Sequence, residues 1–385
     1  MTMTERPAAA LRVALVHDWL TGMRGGEKVL EALCTLYPDA PLYTLVHVPG
    51  SVSPLIEARR IVTSFVQALP ASGRHYRQYL PLFPAAVEWL NLEGFDLVIS
   101  SSHCAVKSVR RPPAAVHVCY CHSPMRYAWD QFDAYFGPRQ VGAAASRLLR
   151  PIMAGLARWD AATAGRVDQY VANSGYVAER IRRYYNRAST VVYPPVDTSF
   201  YRPDPSRDTD PPFLIVSALV PYKRVDLAIA ACQRIGARLD IVGRGPERQR
   251  LEAMSGPTVR FLGWKSDEEI RALYQRAAAV LLPGTEDFGM VPVEAQACGT
   301  PVVALGAGGA LETVQHGVTG LLAAESSVES FAAALDECRR TPFDRAAIRA
   351  NAEQFSRERF LATFPAVVDR AVRDRDVRLA TERAS

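Results

Sequence analysis

Short apolar runs alternate with longer amphipathic stretches from one end of the chain to the other, and this alternation constrains the fold most. Strands are expected at Arg12–Val16, Leu42–Leu45, Asp96–Ser100, Ala115–Cys119, Gln169–Ala172 and Thr190–Tyr193. A second series follows at Phe213–Ser217, Arg238–Val242, Thr258–Leu262, Ala279–Leu282 and Pro301–Leu305. Helical patterns lie between them, among them Glu27–Tyr37, Val225–Arg234, Glu247–Met254, Asp267–Ala277 and Val291–Ala297. Such alternation is the mark of parallel sheets with helices on both faces, an α/β class.

The two series part at YPPVDTSFYRPDPSRDTDPPF, Tyr193 to Phe213, which holds six prolines and little hydrophobic periodicity. That tract reads as a connection between domains. At 385 residues the chain suits two domains rather than one. The expected division is a Rossmann-like domain over 1–200, a second over 201–355, and a helical segment over 356–385 packing back on the first. Such a pair would leave a cleft at the carboxyl ends of the strands, where open α/β sheets bind ligands.

Composition narrows the setting. Charged residues are 22% and hydrophobic ones 49%, enough apolar material for two cores. The net charge of +5 is mild. It does not imply nucleic acid, and it fits an anionic small ligand or an anionic membrane surface. Seven cysteines at irregular spacing argue for a reducing compartment. Cys119 and Cys121, with one nearby histidine, fall short of a four-ligand zinc site and read more simply as buried thiols. The first residues read as a buried strand, not a secretion signal, and no apolar run reaches the ~18 residues a membrane span needs. A cytoplasmic location is expected.

The chemistry gathers in GTEDFGMVPVEAQACGTP, Gly284 to Pro301. Here a strand ends, a loop carries Glu286, and Pro292 suits the first turn of a helix in which Glu294 follows. The amides of Phe288, Gly289 and Met290 precede that helix and favour an anion such as a phosphate. Two carboxylates flanking such a site could hold hydroxyls on either side of it, as on two sugar rings joined by a diphosphate. An isolated pair reads equally well as a helix cap and a solvated side chain.

This pair has company. SALVPYKRVDLAIAA sets Lys223 and Arg224 between a strand and a helix, where both suit diphosphate oxygens. LDIVGRGPERQRLE places Gly243 in a strand–turn–helix. In GAGGALETVQHGVTG, Gly306, Gly308 and Gly309 allow close backbone approach to a ligand. HDWLTGMRGGEKVLEAL has Gly25 and Gly26 opening a helix after the first strand, a phosphate-approach loop by mechanism. Each element follows a predicted strand, and they are spread over both domains.

With these motifs the sequence resembles the retaining nucleotide-sugar transferases of glycosyltransferase family 4, which have the GT-B fold. The likeness runs along nearly the whole chain. Its most specific parts are the E-x7-E of EDFGMVPVE, PYK, the IVGRGPE turn, and FLGW followed by a helix ending in LYQRA. YCHSPMRYAWD and VANSGYVAERI resemble the subgroup with bacterial GDP-mannose-dependent α-mannosyltransferases of exopolysaccharide and O-antigen assembly. The resemblance implies that Glu286 contacts the donor sugar and Glu294 the ribose. Lys223, the amides of Phe288 to Met290 and Gly25-Gly26 would bind the diphosphate, with Arg224 and Gly243 at the same donor site. His122 would face the donor sugar and the acceptor, and Asp18, Arg126 and Tyr127 fall on the acceptor side. Where family members often carry an arginine after the strand at 213–217, this chain has Ala218, so either Arg224 takes over part of that charge or the donor phosphate is held more loosely.

The implied reaction is hexosyl transfer with retention, without metal or other cofactor, from a nucleotide sugar to a glycan or polyprenyl-diphosphate-linked sugar. The D-x-D patterns at Asp208/Asp210 and Asp374/Asp376 read as solvated. Two basic amphipathic stretches, Arg74–Leu90 and Ser146–Trp159, read either as core helices with solvated faces or as contacts with an anionic membrane at its inner face. Three rivals share the architecture. A dehydrogenase would want G-x-G-x-x-G after its first strand, which HDWLTGMRGG does not supply. A nucleotide-sugar epimerase or hydrolase would need no acceptor surface. A non-catalytic sugar-nucleotide binder could dispense with Glu286 and His122.

Overall fold

The computed structural model describes residues 11–204 and 211–384. The chain folds as two units, one made of Met1–Pro195 with Phe360–Ser385, the other of Val196–Arg359. Asp208 and Asp210 lie outside the described residues.

The first unit is built on strands β1 (Val13–His17), β2 (Leu42–Thr44), β3 (Ile61–Thr63), β4 (Leu97–Ser102), β5 (Val116–Cys121), β6 (Gln169–Ala172) and β7 (Ser189–Val191). They form one sheet in the order β3-β2-β1-β4-β5-β6-β7, with every pairing parallel. The strand order reverses between β1 and β4, which is where an open α/β sheet leaves a crevice at its carboxyl edge. Helix α1 (Gly25–Leu36) follows β1, and α2 (Ala143–Ala162) precedes β6.

The second unit carries β8 (Phe213–Val216), β9 (Leu239–Val242), β10 (Val259–Gly263), β11 (Val280–Leu282), β12 (Val302–Leu305) and β13 (Gly320–Ala323), in the order β10-β9-β8-β11-β12-β13. Its switch point lies between β8 and β11. Helices α3 (Val225–Arg234), α4 (Asp267–Arg276) and α5 (Met290–Ala297) follow β8, β10 and β11. The last helix, α6 (Arg357–Ala384), begins in this unit and continues in the other.

Strand interiors are apolar on both faces because helices cover both, and Leu15, Leu97, Ile99 and Val118 are wholly buried. Helix α6 supplies Phe360, Phe364, Val367, Val368 and Ala371 to the same core, an i, i+4, i+7, i+8, i+11 stripe. Phe360 and Phe364 stack with centroids 5.4 Å apart, and Tyr120 meets Phe360 edge-on at 5.7 Å. Each such side chain contributes about 1.5–3 kcal/mol by burial.

Several strands run further than the apolar pattern indicates. β1 includes His17, β4 includes Ser101 and Ser102, and β5 reaches Cys121, because these polar carboxyl ends are buried under loops. Two edge strands, β3 and β13, have no counterpart among the expected strands. Cys119 and Cys121 are packed with Tyr170, Ala172 and Val177, and burial pushes the Cys119 thiol up to about 12. Among the described residues no group of three or more His, Cys, Asp or Glu is arranged to hold a metal ion.

The basic stretches take two forms. Residues 72–88 form a succession of short α and 3-10 turns, with Pro81 inside the 3-10 segment, leaving Leu82 and Trp89 exposed. In α2 Met153, Leu156 and Ala157 are buried while Arg147, Leu148 and Arg150 face outward. That helix also buries Asp160, whose Oδ1 stands 3.0 Å from the Lys107 ammonium and whose Oδ2 accepts from Trp129 Nε1 and Tyr185 Oη. No residue pattern announces this pair, since its members come from distant segments. Asp374 and Asp376 are exposed on α6.

Candidate functional site

In the second unit the two segments beside the switch point are pressed together by glycine. A Cβ on Gly284 would stand 2.4 Å from the Tyr222 carbonyl oxygen and 2.9 Å from Lys223 Cα. Its absence lets the Pro221–Lys223 turn lie on the loop after β11, and there the Lys223 ammonium pairs with the Glu286 carboxylate. On the loop's other side, Gly308 and Gly309 would place a Cβ 2.3 Å from the Glu286 oxygen and 2.4 Å from Phe288 Cα. The Gly309 amide donates to the Glu286 carbonyl at 2.8 Å. Gly308 and Gly309 were expected to admit a ligand. They admit the protein's own backbone, and so hold the 286–288 loop from behind.

Gly289 has φ +85° and turns the chain into α5, so the amides of Phe288, Gly289 and Met290 sit at or just before its N-terminus. Phe288 is buried edge-on to Phe355 at 5.5 Å. Glu294 is the fifth residue of α5, one position past the first turn in which it was expected, because the helix opens at Met290. Its carboxylate is buried and accepts from Tyr274 Oη at 3.1 Å. Glu286 and Glu294 are both over nine-tenths buried, which removes the solvated reading of Glu286.

Two donor-site expectations change here. Arg224 adopts φ +52° and directs its guanidinium to Asp226 Oδ1 at 3.3 Å and Ser326 Oγ at 3.0 Å. Part of its fork is therefore spent within the protein. Gly243 has φ +139°, and a Cβ there would stand 1.8 Å from the Ser217 carbonyl oxygen. It is required for the approach of two backbones, independent of any ligand.

The first unit gathers polar groups at the carboxyl ends of β1, β4 and β5. His17 ends β1, Ser101 lies near the end of β4, and His122 follows β5. Ser101 Oγ stands 3.1 Å from His17 Nδ1 and 2.8 Å from His122 Nε2. Helix α1 starts against them: a Cβ on Gly26 would lie 3.6 Å from His17 Cε1 and 3.8 Å from His122 Nε2. Gly25 is the first residue of that helix. Burial, with His103 and His17 nearby, holds His122 well below the usual imidazole range, so its ring is neutral.

The acceptor-side expectations fare differently. Asp18 is fully buried, and its two oxygens accept the amides of His103, Cys104, Ala105 and Val106 at 2.7–3.0 Å. It clamps the turn after β4, and its carboxylate oxygens are engaged there rather than offered to an acceptor. Tyr127 gives its hydroxyl to Cys104 Sγ at 2.7 Å. Arg126 opens a short helix, Arg126–Trp129, and is partly buried.

Both units match family models. The model described as Glycosyltransferase Family 4 matches residues 23–200, and that described as Glycosyl transferases group 1 matches residues 197–355. The chain belongs to glycosyltransferase family 4. Among its family relatives, a GDP-mannose-dependent alpha-(1-6)-phosphatidylinositol monomannoside mannosyltransferase of Mycobacterium tuberculosis is 31% identical over 243 residues, covering 53% of this chain. A D-inositol 3-phosphate glycosyltransferase of Mycobacterium avium is 34% identical over 185 residues, 42% of this chain. The matches span 63% and 43% of those relatives' lengths, less than two thirds of each. Among solved structures, Anabaena Alr3699/HepE in complex with UDP and glucose aligns with TM-score 0.68 at 21% identity, covering 93% of this chain and 99% of that one. Sucrose-phosphate synthase of Thermosynechococcus elongatus aligns with TM-score 0.65 at 20% identity, covering 97% and 100%. The fold of this family 4 member is GT-B.

Within the family frame, the sequence left Tyr274, Glu27, His17, Ser101 and His103 unmarked. Tyr274 lay inside a motif already noticed, LYQRA, and its spacing from Glu294 gives no hint of contact. Ser101 and His17 are 84 positions apart, and only the strand order brings them together.

Proposed function

We propose that this protein is a retaining hexosyltransferase that moves mannose from GDP-mannose to a hydroxyl of a glycan or polyprenyl-diphosphate-linked sugar, without a metal. The observation that carries the reading is the Lys223–Glu286 pair, set between β8 and β11 and beside the N-terminus of α5. A diphosphate at those amides competes for the lysine. Once Lys223 turns to the phosphates, Glu286 is free to accept from the donor sugar's hydroxyls. The leaving diphosphate gains negative charge in the transition state, so a cation and oriented amides there stabilise the transition state more than the ground state. Glu294, oriented by Tyr274, takes the ribose. The diphosphate oxygen receives the incoming hydroxyl's proton on the same face, and the polar cluster around His122 serves the reacting sugar and acceptor.

Mannose and guanosine rest on the mannosyltransferase relative; UDP-glucose is the alternative donor. Among the described residues no helix is long and apolar enough to cross a membrane. Peripheral attachment at the inner face of the plasma membrane is supported by exposed Leu82 and Trp89 in the same segment as exposed Arg74 and Arg77.

Calorimetric titration of EDTA-treated protein with GDP-mannose, GDP, UDP-glucose and UDP tests the donor. Binding of the guanosine pair alone is expected. Binding of the uridine pair alone replaces mannose with another sugar, and restoration of binding only by added divalent cation overturns the metal-free mechanism. Release of free sugar without transfer would move the protein to the hydrolases of the same fold.

A further inference from the structure

The buried cluster of the first unit contains a hydrogen-bond chain whose direction can be worked out from its ends. Ser101 has one hydroxyl proton and stands between two imidazole nitrogens, His17 Nδ1 and His122 Nε2. It can donate to one of them only, and must accept from the other if both contacts are to be hydrogen bonds. The choice is made at the far side of His17. There Nε2 is buried without a hydrogen-bond partner and stands 3.7 Å from Glu27 Oε1. Glu27 lies in the first turn of α1 and its Oε2 accepts the Arg24 amide at 3.0 Å, a place at a helix N-terminus that favours a carboxylate. A nitrogen lone pair facing a buried carboxylate is repelled, whereas an N–H facing it is attracted.

The remaining assignments follow in order. With a single proton, placed on Nε2, His17 presents a lone pair at Nδ1, and Ser101 donates to it. Ser101 Oγ then accepts from His122 Nε2–H. The other nitrogen of His122, Nδ1, makes no hydrogen bond among the described residues and is left with its lone pair. His103 stands beside this chain without joining it: its ring centroid is 5.8 Å from that of His17 and 6.2 Å from that of His122, and its Nδ1 lies 3.3 Å from Asp18.

We propose that Glu27, acting through His17 and Ser101, fixes the His122 proton on Nε2 and so makes Nδ1 a hydrogen-bond acceptor. Glu27, His17 and Ser101 are positioning residues for His122. On the transferase reading, on which this role rests, His122 takes a hydrogen bond from a sugar hydroxyl rather than giving one. Exchanging the carboxylate for its amide reverses the chain. Glu27 Oε2 accepts the Arg24 amide at 3.0 Å, so the carbonyl of a glutamine must take that position. Its amide group then faces His17 Nε2 as a donor. His17 becomes Nδ1–H, Ser101 turns its proton to His122 Nε2, and His122 becomes Nδ1–H.

The test is two-bond proton–nitrogen correlation on the full chain labelled with 15N-histidine, at pH 8, in the unaltered protein, in Glu27→Gln and in Glu27→Gln combined with Ser101→Ala. The unaltered protein is expected to show His122 and His17 both as Nε2–H. Glu27→Gln is expected to invert both rings, and Glu27→Gln combined with Ser101→Ala to invert His17 alone. His122 as Nδ1–H in the unaltered protein, His17 carrying protons on both nitrogens, or a Glu27→Gln variant in which His17 inverts and His122 does not would each overturn the proposal. The first two need no variant to fold. Because the readout is spectroscopic, failure of the transferase reading would leave it standing.

Discussion

Glu286 and Lys223 each have a partner within the protein, and that sets what their substitutions should do. Glu286→Gln keeps the shape and a hydrogen bond to Lys223 while losing the charge; Lys223→Ala removes the cation at the diphosphate. Each is expected to lower transfer by roughly 10²–10³-fold, the scale for losing one preorganised charge-stabilising group, with the circular dichroism of the folded chain retained. Near-normal turnover in both would remove the donor site from this loop. The glycines around it argue the same geometry from the other side. Gly308 and Gly309 were legible as a pattern but not as a purpose, because a glycine that admits a ligand and one that admits backbone look alike in sequence. Only the 2.3–2.4 Å clearances to Glu286 and Phe288 separate the two.

Among elements, the segment 72–88 and helix α2 had the same basic amphipathic look, yet they differ in what they bury. The helix spends one face on Met153, Leu156 and Asp160, and so is held as part of the core. The segment before β4 leaves Trp89 at 77% exposure, its ring 6.4 Å from that of Phe65, which is also exposed. Vesicles of anionic phospholipid at low salt are therefore expected to retain the protein on sedimentation, and Trp89→Ala with Arg77→Ala to weaken retention at least tenfold. No retention of the unaltered chain would end the membrane reading. The strands were legible wherever β-branched and aliphatic residues filled both faces. β3 and β13 escaped because each is a run of only three or four residues, although β13 is largely buried. The carboxyl ends escaped for a different reason: His17, Ser101 and Ser102 are polar, yet buried by the loops that build the candidate site.

For the whole molecule, buried neutral histidines make stability depend on pH. Burial above all pushes His117 down to about 4, against the opposing pull of the Arg166 carbonyl and Asp168; Ser100 bonds its other nitrogen at 2.8 Å. Between its folded value and the ordinary imidazole value of ~6.5, the unfolded chain binds a proton that the folded one does not. Stability is therefore complete above that range and falls as pH drops through it, by about 1.4 kcal/mol per pH unit for one such group. Urea unfolding from pH 7.5 to 5 should show this loss, and His117→Gln should flatten it. An unchanged slope in that variant would mean His117 carries a proton in the folded state. The path of the chain has a consequence for synthesis as well. The second unit is one continuous segment, Val196–Arg359, whereas the core of the first needs Phe360, Phe364 and Val368 from α6. On the ribosome the half that begins first is thus the half that closes last, its sheet waiting for aromatic rings translated more than 160 residues after β7.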